Sequence, residues 1–163
     1  MSVYSIDKLM SEARRLAKEY RSATGKSLPI TAEIAANDAV TLLQLSPAES
    51  SASGYDAIMD YQGKEYRVQI KGRAILNNNR SGHRLGKLKP EQDWDALILV
   101  IMDEDYESRE MYFVDRETAL SASSESHNKR GSISIARFKN IGRLIWTSEN
   151  GLEDEGHWSN QDQ

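Results

Sequence analysis

Residues 55–73 read YDAIMDYQGKEYRVQIKGR, and this stretch decides how the chain folds. Two segments in which polar and apolar residues alternate flank Gln62-Gly63, which predicts two antiparallel strands joined by a two-residue turn. Successive side chains of a strand point to opposite faces, so pairing about this turn leaves one face of the hairpin apolar. The other face brings Asp56, Gln69 and Lys71 together at the end away from the turn.

A carboxylate, an amide oxygen and an ammonium group in one patch are typical of a Mg²⁺ site. Mg²⁺ prefers hard oxygen ligands and often takes only one or two from the protein, while waters and substrate phosphate complete its shell. Asp56 can supply charge, Gln69 a neutral oxygen, and the carbonyl of Ile70 a further ligand. Lys71 can hold or deprotonate a water beside the metal, or offset charge that develops on a phosphate. The alternative is a plain Asp56–Lys71 ion pair on an exposed face.

Apolar periodicity predicts the elements that surround this hairpin. Residues 5–22 predict a helix that packs on a sheet, because their apolar residues repeat at three and four positions as a stripe of Ile6, Leu9, Ala13, Leu16 and Tyr20. Residues 27–46 contain a second helix, for which Thr31 is the predicted N-cap. The run 94–103 predicts a central strand buried on both faces, and 109–116 alternates as a further strand.

The C-terminal third predicts one helix and two strands. Asp115 is the predicted cap of a short helix that ends at 124, while 132–138 and 143–148 read as strands. The order of elements predicts an α/β fold with a mixed central sheet flanked by helices. Residues 1–147 are expected to form a single domain, and 148–163 an acidic, flexible tail.

Composition narrows the class of protein. The chain has 163 residues, a net charge of −4 and no cysteine, which excludes disulfides and thiolate metal sites and suits a reducing cytoplasm. No signal peptide is recognisable, and the longest apolar run, 96–102, is too short to cross a membrane. The net charge argues against a nucleic-acid partner, but Lys64 to Lys89 holds eight Lys or Arg and one acid, Glu65.

The segments GYDA and VQIKGR resemble the signature of the PD-(D/E)xK nuclease superfamily, which has the restriction-endonuclease-like fold. They are particularly similar to bacterial proteins of that fold with a Gln-x-Lys variant. The resemblance covers roughly residues 31–102, and it maps the motif aspartate to Asp56 and the (D/E)-x-K element to Gln69-Ile70-Lys71. It implies a four-stranded mixed sheet flanked by helices, phosphodiester hydrolysis, and Mg²⁺ as cofactor with Mn²⁺ as a substitute.

The chain departs from the family pattern at two positions and leaves one ligand open. Tyr55 stands where the motif name has proline, and Gln69 replaces an acid, which removes one negative charge from the metal site. Many members also carry a glutamate on the preceding helix, and Glu33 is the matching residue, with Asp38 as a substitute. The alternative for Glu33 is a solvent-exposed acid in the first helical turn, favoured by the helix dipole.

Basic residues that follow the motif are candidates for nucleic-acid contacts. Arg73 lies on the same face as Lys71 and can hold a phosphate, unless a carboxylate such as Glu33 pairs with it. Further cations that can contact a phosphate backbone are Arg80, Arg84, Lys87 and Lys89.

The sequence therefore predicts a cytoplasmic Mg²⁺-dependent nuclease without a membrane partner, a DNA endonuclease of restriction, defence or repair. Cutting both strands of a duplex would suit a homodimer. The alternative is a non-catalytic nucleic-acid-binding or assembly module whose metal site has decayed through Gln69.

Overall fold

The computed structural model describes residues 5–49, 54–75, 84–124 and 132–153. Within these residues the helices are α1 (Ile6–Thr24), α2 (Thr31–Leu42), α3 (Arg116–Ser123) and α4 (Ile135–Ile141). The strands are β1 (Ser46–Pro47), β2 (Ala57–Tyr61), β3 (Lys64–Ala74), β4 (Ala96–Met102), β5 (Ser108–Asp115), β6 (Arg143–Thr147) and β7 (Gly151–Leu152).

The strands form one mixed sheet in which sequence order and spatial order coincide, from β1 at one edge to β7 at the other. Only β3 and β4 pair in parallel among these neighbours, and the other pairs are antiparallel. Helices α1 and α2 cover one face of the sheet, while α3, α4 and residues 84–94 cover the other. The predicted α/β class with a mixed sheet flanked by helices is confirmed.

The β2–β3 hairpin has the predicted register. Gln62 and Gly63 have φ values of 51° and 77°, and two positive φ values are the requirement of the tight turn that suits the twist of a hairpin. Tyr61 pairs with Lys64, and the ladder continues to the last pair, Ala57 with Val68.

Two hydrophobic cores lie on the two faces of the sheet, and β4 is buried in both of them, as predicted. The first core joins alternate residues of β2, β3 and β4 to α2 and includes Ala57, Met59, Val68, Ile70, Ile98, Ile34 and Ala39. The second core includes Leu85, Leu88, Trp94, Leu97, Leu99, Ala119 and Phe138. Because residues 84–94 contribute Leu85, Leu88 and Trp94 to this core, this segment packs on the sheet.

Helix α1 is confirmed as a helix, but most of its predicted apolar stripe is exposed, and only Ala13 of that stripe packs against the core. Ile6 and Leu16, which belong to the predicted apolar stripe, are 60% and 52% exposed. The helix is instead held by polar contacts, since Arg14 binds Asp38 and Lys18 pairs with Asp105. The residues of α1 that face the core are Ala17, which is buried, and Met10 and Ala13, which pack against it.

Three further predictions need correction. Residues 132–138 do not form a strand, because Ser134 caps α4 by accepting a hydrogen bond from the amide of Arg137 at 3.1 Å. Helix α2 begins at Thr31 itself, and no side chain caps it. The ordered domain extends beyond residue 147, since β7 pairs with β6 within the predicted tail.

None of the helices in the described part of the chain combines the length and the apolar character that a membrane span requires.

Candidate active site

Asp56 sits at the point where the ladder between β2 and β3 ends. Its amide donates to the carbonyl of Val68 at 2.8 Å, and its carbonyl accepts from the amide of Ala48 at 3.0 Å. Its carboxylate Oδ2 accepts a hydrogen bond from the amide of Ile70 at 2.7 Å. The side chain is therefore anchored through one oxygen at an exposed end of the hairpin.

The carbonyl of Ile70 faces the same edge as Asp56. In a regular strand, the N–H and C=O of one residue point toward the same neighbouring strand. The Ile70 amide points to Asp56, so the Ile70 carbonyl also points beyond the start of β2. A carboxylate and a backbone carbonyl thus share one edge of β3.

Gln69 lies between two loops that its side-chain amide joins. Its Nε2 donates to the carbonyl of Gly54 at 3.0 Å and to Oε1 of Gln92 at 3.3 Å. A backbone carbonyl can only accept, so the atom facing Gly54 must be the nitrogen of the amide. The Oε1 of Gln69 has no hydrogen-bond donor among the described residues, and it remains available to a ligand.

Lys71 and Arg73 form a half-buried cationic pair on the face that also carries Gln69. Burial lowers the pKa of Lys71 below its ordinary 10.5, and the charges of Arg73 and Lys89 lower it further, while the charge of Asp56 opposes them. Burial also lowers the pKa of Arg73. Within the described part of the chain, neither side chain has a carboxylate within the 4.0 Å of an ion pair.

Backbone carbonyls hold Arg73 in place. Its guanidinium donates to the carbonyl of Gly72 at 2.6 Å and to that of Arg84 at 3.2 Å. The alternative in which Glu33 pairs with Arg73 is therefore not what the structure shows. The result is a fixed positive charge close to Lys71.

The remaining predicted nucleic-acid contacts separate into three kinds. Arg84 is directed at Ser132, because its Nε donates to the hydroxyl at 2.9 Å and its NH2 to the carbonyl at 3.0 Å. Lys87 and Lys89 are exposed. Arg80 lies outside the described residues. The two lysines are thus the described cations that can reach a ligand from this segment without breaking a hydrogen bond to the protein.

Glu33 is not brought into contact with the other candidate residues. It is exposed in the first turn of α2, a helix that packs on the face of β3 opposite Gln69 and Lys71. No hydrogen bond or ion pair joins it to the described residues of the site. Asp38, the predicted substitute, is buried against Arg14 and the hydroxyl of Ser108 instead.

The donor set fits a hard cation that keeps most of its waters. Asp56 provides a carboxylate, while Gln69 and Ile70 provide neutral oxygens, and this agrees with Mg²⁺ or Mn²⁺ chemistry. No group of three or more acidic, histidine or cysteine side chains suited to a metal occurs in the residues that the structure describes. A bound cation would therefore depend on water and on substrate oxygens.

Sequence reasoning missed the residues that hold the loops around this site. A Cβ on Gly54, whose φ is 92°, would lie 2.7 Å from Cβ of Gln92, so only glycine allows the two loops to meet. Arg116 fixes residues 90–94, because it donates to the carbonyls of Pro90, Gln92 and Trp94 and lies over the Trp94 ring at 4.6 Å. Of these residues, only Gly54 could have been singled out from the sequence, because it directly precedes Tyr55 and Asp56.

Comparison with models of protein families found no match to this chain, and comparison with curated proteins found no significant one.

Proposed function

We propose that this chain is a Mg²⁺-dependent nuclease with a restriction-endonuclease-like fold, acting on DNA as an endonuclease. The reaction adds water across a P–O bond of the phosphodiester, which gives a phosphate monoester and a free hydroxyl group. Restriction, defence and repair are the settings that the resemblance implies. The four central strands β2–β5, a mixed sheet with helices on both faces, support the fold assignment.

One observation carries the proposal: Asp56 and Lys71 influence each other electrostatically but form no ion pair. The alternative predicted from the sequence was a plain ion pair between Asp56 and Lys71, and in such a pair the two side chains would be free to come into contact. Here the carboxylate is tied to the Ile70 amide, and the ammonium is half-buried beside Arg73. A cation and a phosphate oxygen bound between the two groups would account for this separation of opposite charges.

Each residue would then have a distinct task. Asp56, with the Ile70 carbonyl and Gln69 Oε1, would hold the cation, which when bound polarises the phosphate and its attacking water. Lys71 would hold that water and accept a proton from it, because a lowered pKa makes the neutral amine easier to reach. Arg73 would offset charge on the phosphate. Glu33 has no described contact with these residues, so its role in assisting metal or water binding stays a prediction, which Glu33→Gln tests in the cleavage assay.

The cations near the site favour an extended polyanion over a small phosphate ester. Lys89 is close enough to lower the pKa of Lys71, and Lys87 is a further exposed cation of the same segment. Several cations of this kind suit successive phosphates of a nucleic-acid backbone.

A second function is favoured by the shortage of acids. Asp56 is accompanied by the neutral Gln69, and the described residues hold no cluster of three metal-ligating side chains. If the cation binds too weakly for catalysis, the same cationic face would serve a nucleic-acid-binding or assembly module. Binding to DNA without cleavage is the outcome that this function predicts.

The test is a cleavage assay with Mg²⁺ and with Mn²⁺ on linear, supercoiled, single-stranded and branched DNA, with RNA as a parallel substrate. We expect cleavage by the wild-type protein and a loss of at least about 100-fold in Asp56→Ala and Lys71→Ala.

Matched controls lie at the turn end of the same hairpin. Asp60 shares the face of Asp56, and Lys64 is an exposed lysine of β3, so alanine at either position should leave cleavage unchanged. Cleavage that survives in purified Asp56→Ala would overturn the catalytic assignment. DNA binding without cleavage under either metal would select the binding module.

A further inference from the structure

The amide of Gln69 has an orientation that its neighbours determine. Its nitrogen faces two acceptors, the carbonyl of Gly54 at 3.0 Å and Oε1 of Gln92 at 3.3 Å. Because the two acceptors lie on the side of Nε2, the oxygen of the same planar amide is directed elsewhere. Among the described residues, Gln92 is the only one whose side chain accepts a hydrogen bond from Gln69 Nε2.

Gln92 is itself held by its loop. Its amide donates to the carbonyl of Lys89 at 3.1 Å, and its own carbonyl accepts from Arg116 at 3.1 Å and from the amide of Trp94 at 3.2 Å. Trp94, which is fully buried, anchors this turn by donating from Nε1 to the same Lys89 carbonyl at 2.9 Å. The backbone of Gln92 is therefore anchored to the core, and its side chain reaches Gln69 from a fixed turn.

We infer that Gln92 is a positioning residue, which acts through Gln69 to keep Gln69 Oε1 directed toward the cation beside Asp56. This inference rests on the proposed function. A neutral ligand is useful to a cation only if its oxygen is the atom presented, and a rotated amide would present its N–H groups to the metal. An acid, which has two equivalent oxygens, would need no such partner.

The inference explains why a glutamine can stand at a position where the family pattern has an acid. A carboxylate at residue 69 would place an oxygen against the Gly54 carbonyl, with no proton to share. The Gly54–Gln92 cradle therefore selects an amide, and it determines which of the two amide atoms faces the cation. Orientation thus partly compensates for the missing charge.

The experiment measures Mn²⁺ affinity by calorimetry in the absence of nucleic acid, for wild type, Gln92→Leu, Gln92→Glu and Asp56→Ala. Gln92→Leu removes the acceptor, and we expect binding to weaken about 10-fold, the scale typical of residues that orient a metal ligand. Gln92→Glu keeps an acceptor for Nε2, so its affinity should equal or exceed that of wild type. Glu91→Gln, an exposed neighbour, controls for a change of loop charge.

A second measurement keeps the inference testable if Gln92→Leu folds poorly. The side-chain amide protons of Gln69, observed by NMR in metal-free protein, should be protected from exchange in wild type and Gln92→Glu. Unprotected protons in wild type would overturn the inference.

The outcomes separate this inference from the proposed function. Loss of Mn²⁺ binding in Asp56→Ala with unchanged affinity in Gln92→Leu would overturn the role of Gln92 and leave the metal site standing. Unchanged Mn²⁺ binding in Asp56→Ala would overturn the metal site itself, whatever the Gln92 variants show.

Discussion

The two faces of β3 are built from alternating residues of one strand, yet they differ in polarity and in burial. Val68 and Ile70 are buried against α2, and Gly72 lets that helix approach the strand. Gln69 and Lys71, on the opposite face, are polar and half-buried, and they pair with Leu97 and Leu99 of β4. On β3 itself, one face is apolar and packed against α2, while the other carries polar side chains that stay partly accessible beside the second core.

The packed face lets the strand carry a half-buried charge on its other face. Desolvating an ammonium group is unfavourable, and the packing of Ile70 and Gly72 against α2 stabilises the strand that holds Lys71. The contrast predicts that substitutions on the helix-facing side change stability, whereas substitutions on the polar side change ligand binding.

The largest expected effect is on the packed side, at Gly72. A Cβ there would lie 2.5 Å from Cβ of Ala35 and 3.2 Å from the carbonyl of Thr31, so Gly72→Ala must push α2 off the sheet. We expect a loss of about 2–4 kcal/mol in the free energy of unfolding, measured with urea. Gly86→Ala is the matched control, because a Cβ at Gly86 meets nothing within 4 Å. Equal stability of the two variants would contradict the close packing.

The next effect concerns Gln69→Glu, on the polar side. Without metal, the variant loses the hydrogen bonds to Gly54 and Gln92 and should be less stable by about 1–2 kcal/mol. Its added charge should make Mn²⁺ raise its melting temperature more than that of wild type. Thermal unfolding with and without Mn²⁺ checks both statements, and a metal-free variant as stable as wild type would refute the cradle.

A smaller effect, of opposite sign, is expected at Lys71. Its folded pKa lies below 10.5, so the charged side chain opposes folding at neutral pH, and this cost falls as pH rises from the folded pKa toward 10.5. Lys71→Met should therefore gain up to about 1 kcal/mol of stability at pH 7, and less of this gain should remain near pH 10.

The control for Lys71→Met is Arg67→Met on the same face. Arg67 is paired with Asp95 through Nε at 3.0 Å and NH2 at 3.1 Å, so its removal should destabilise the protein. Urea unfolding at both pH values gives the comparison. Loss of stability in Lys71→Met at pH 7 would show that Lys71 supports the fold.

The smallest effect on stability is expected at Lys87 and Lys89. Both are exposed, so alanine at either position should leave unfolding unchanged. Each substitution should instead reduce the slope of log K against log salt for DNA binding by about 1, as removal of one phosphate contact does. Lys26→Ala, at an exposed loop far from β3 in sequence, should leave that slope unchanged. Equal slopes in all three variants would remove these lysines from the interface.

The hairpin was predictable in detail because two local signals agreed. Alternation of polar and apolar residues sets which side chains share a face, and Gln62-Gly63 supplies a turn that fixes the pairing. The placement of Asp56 near Gln69 could therefore be predicted from the hairpin sequence alone.

Elements that depend on distant partners were less predictable. Residues 132–138 alternate like a strand, but the cap at Ser134 and burial of Phe138 make a helix. The exposed stripe of α1 and its contact between Arg14 and Asp38 depend on a partner 24 residues away, which no local pattern reveals. Gln92 is isolated in a loop without periodicity, and its role depends on Gly54, which is far away in sequence.

The most direct test of the polar face is a crystal of the wild-type protein grown with Mn²⁺, in which anomalous scattering locates the ion. We expect one peak at the end of the hairpin, about 2.0–2.3 Å from a carboxylate oxygen of Asp56, the Ile70 carbonyl and Gln69 Oε1. A map with no peak there, or with Mn²⁺ held only by other residues, would contradict the claim that this face was built for a metal.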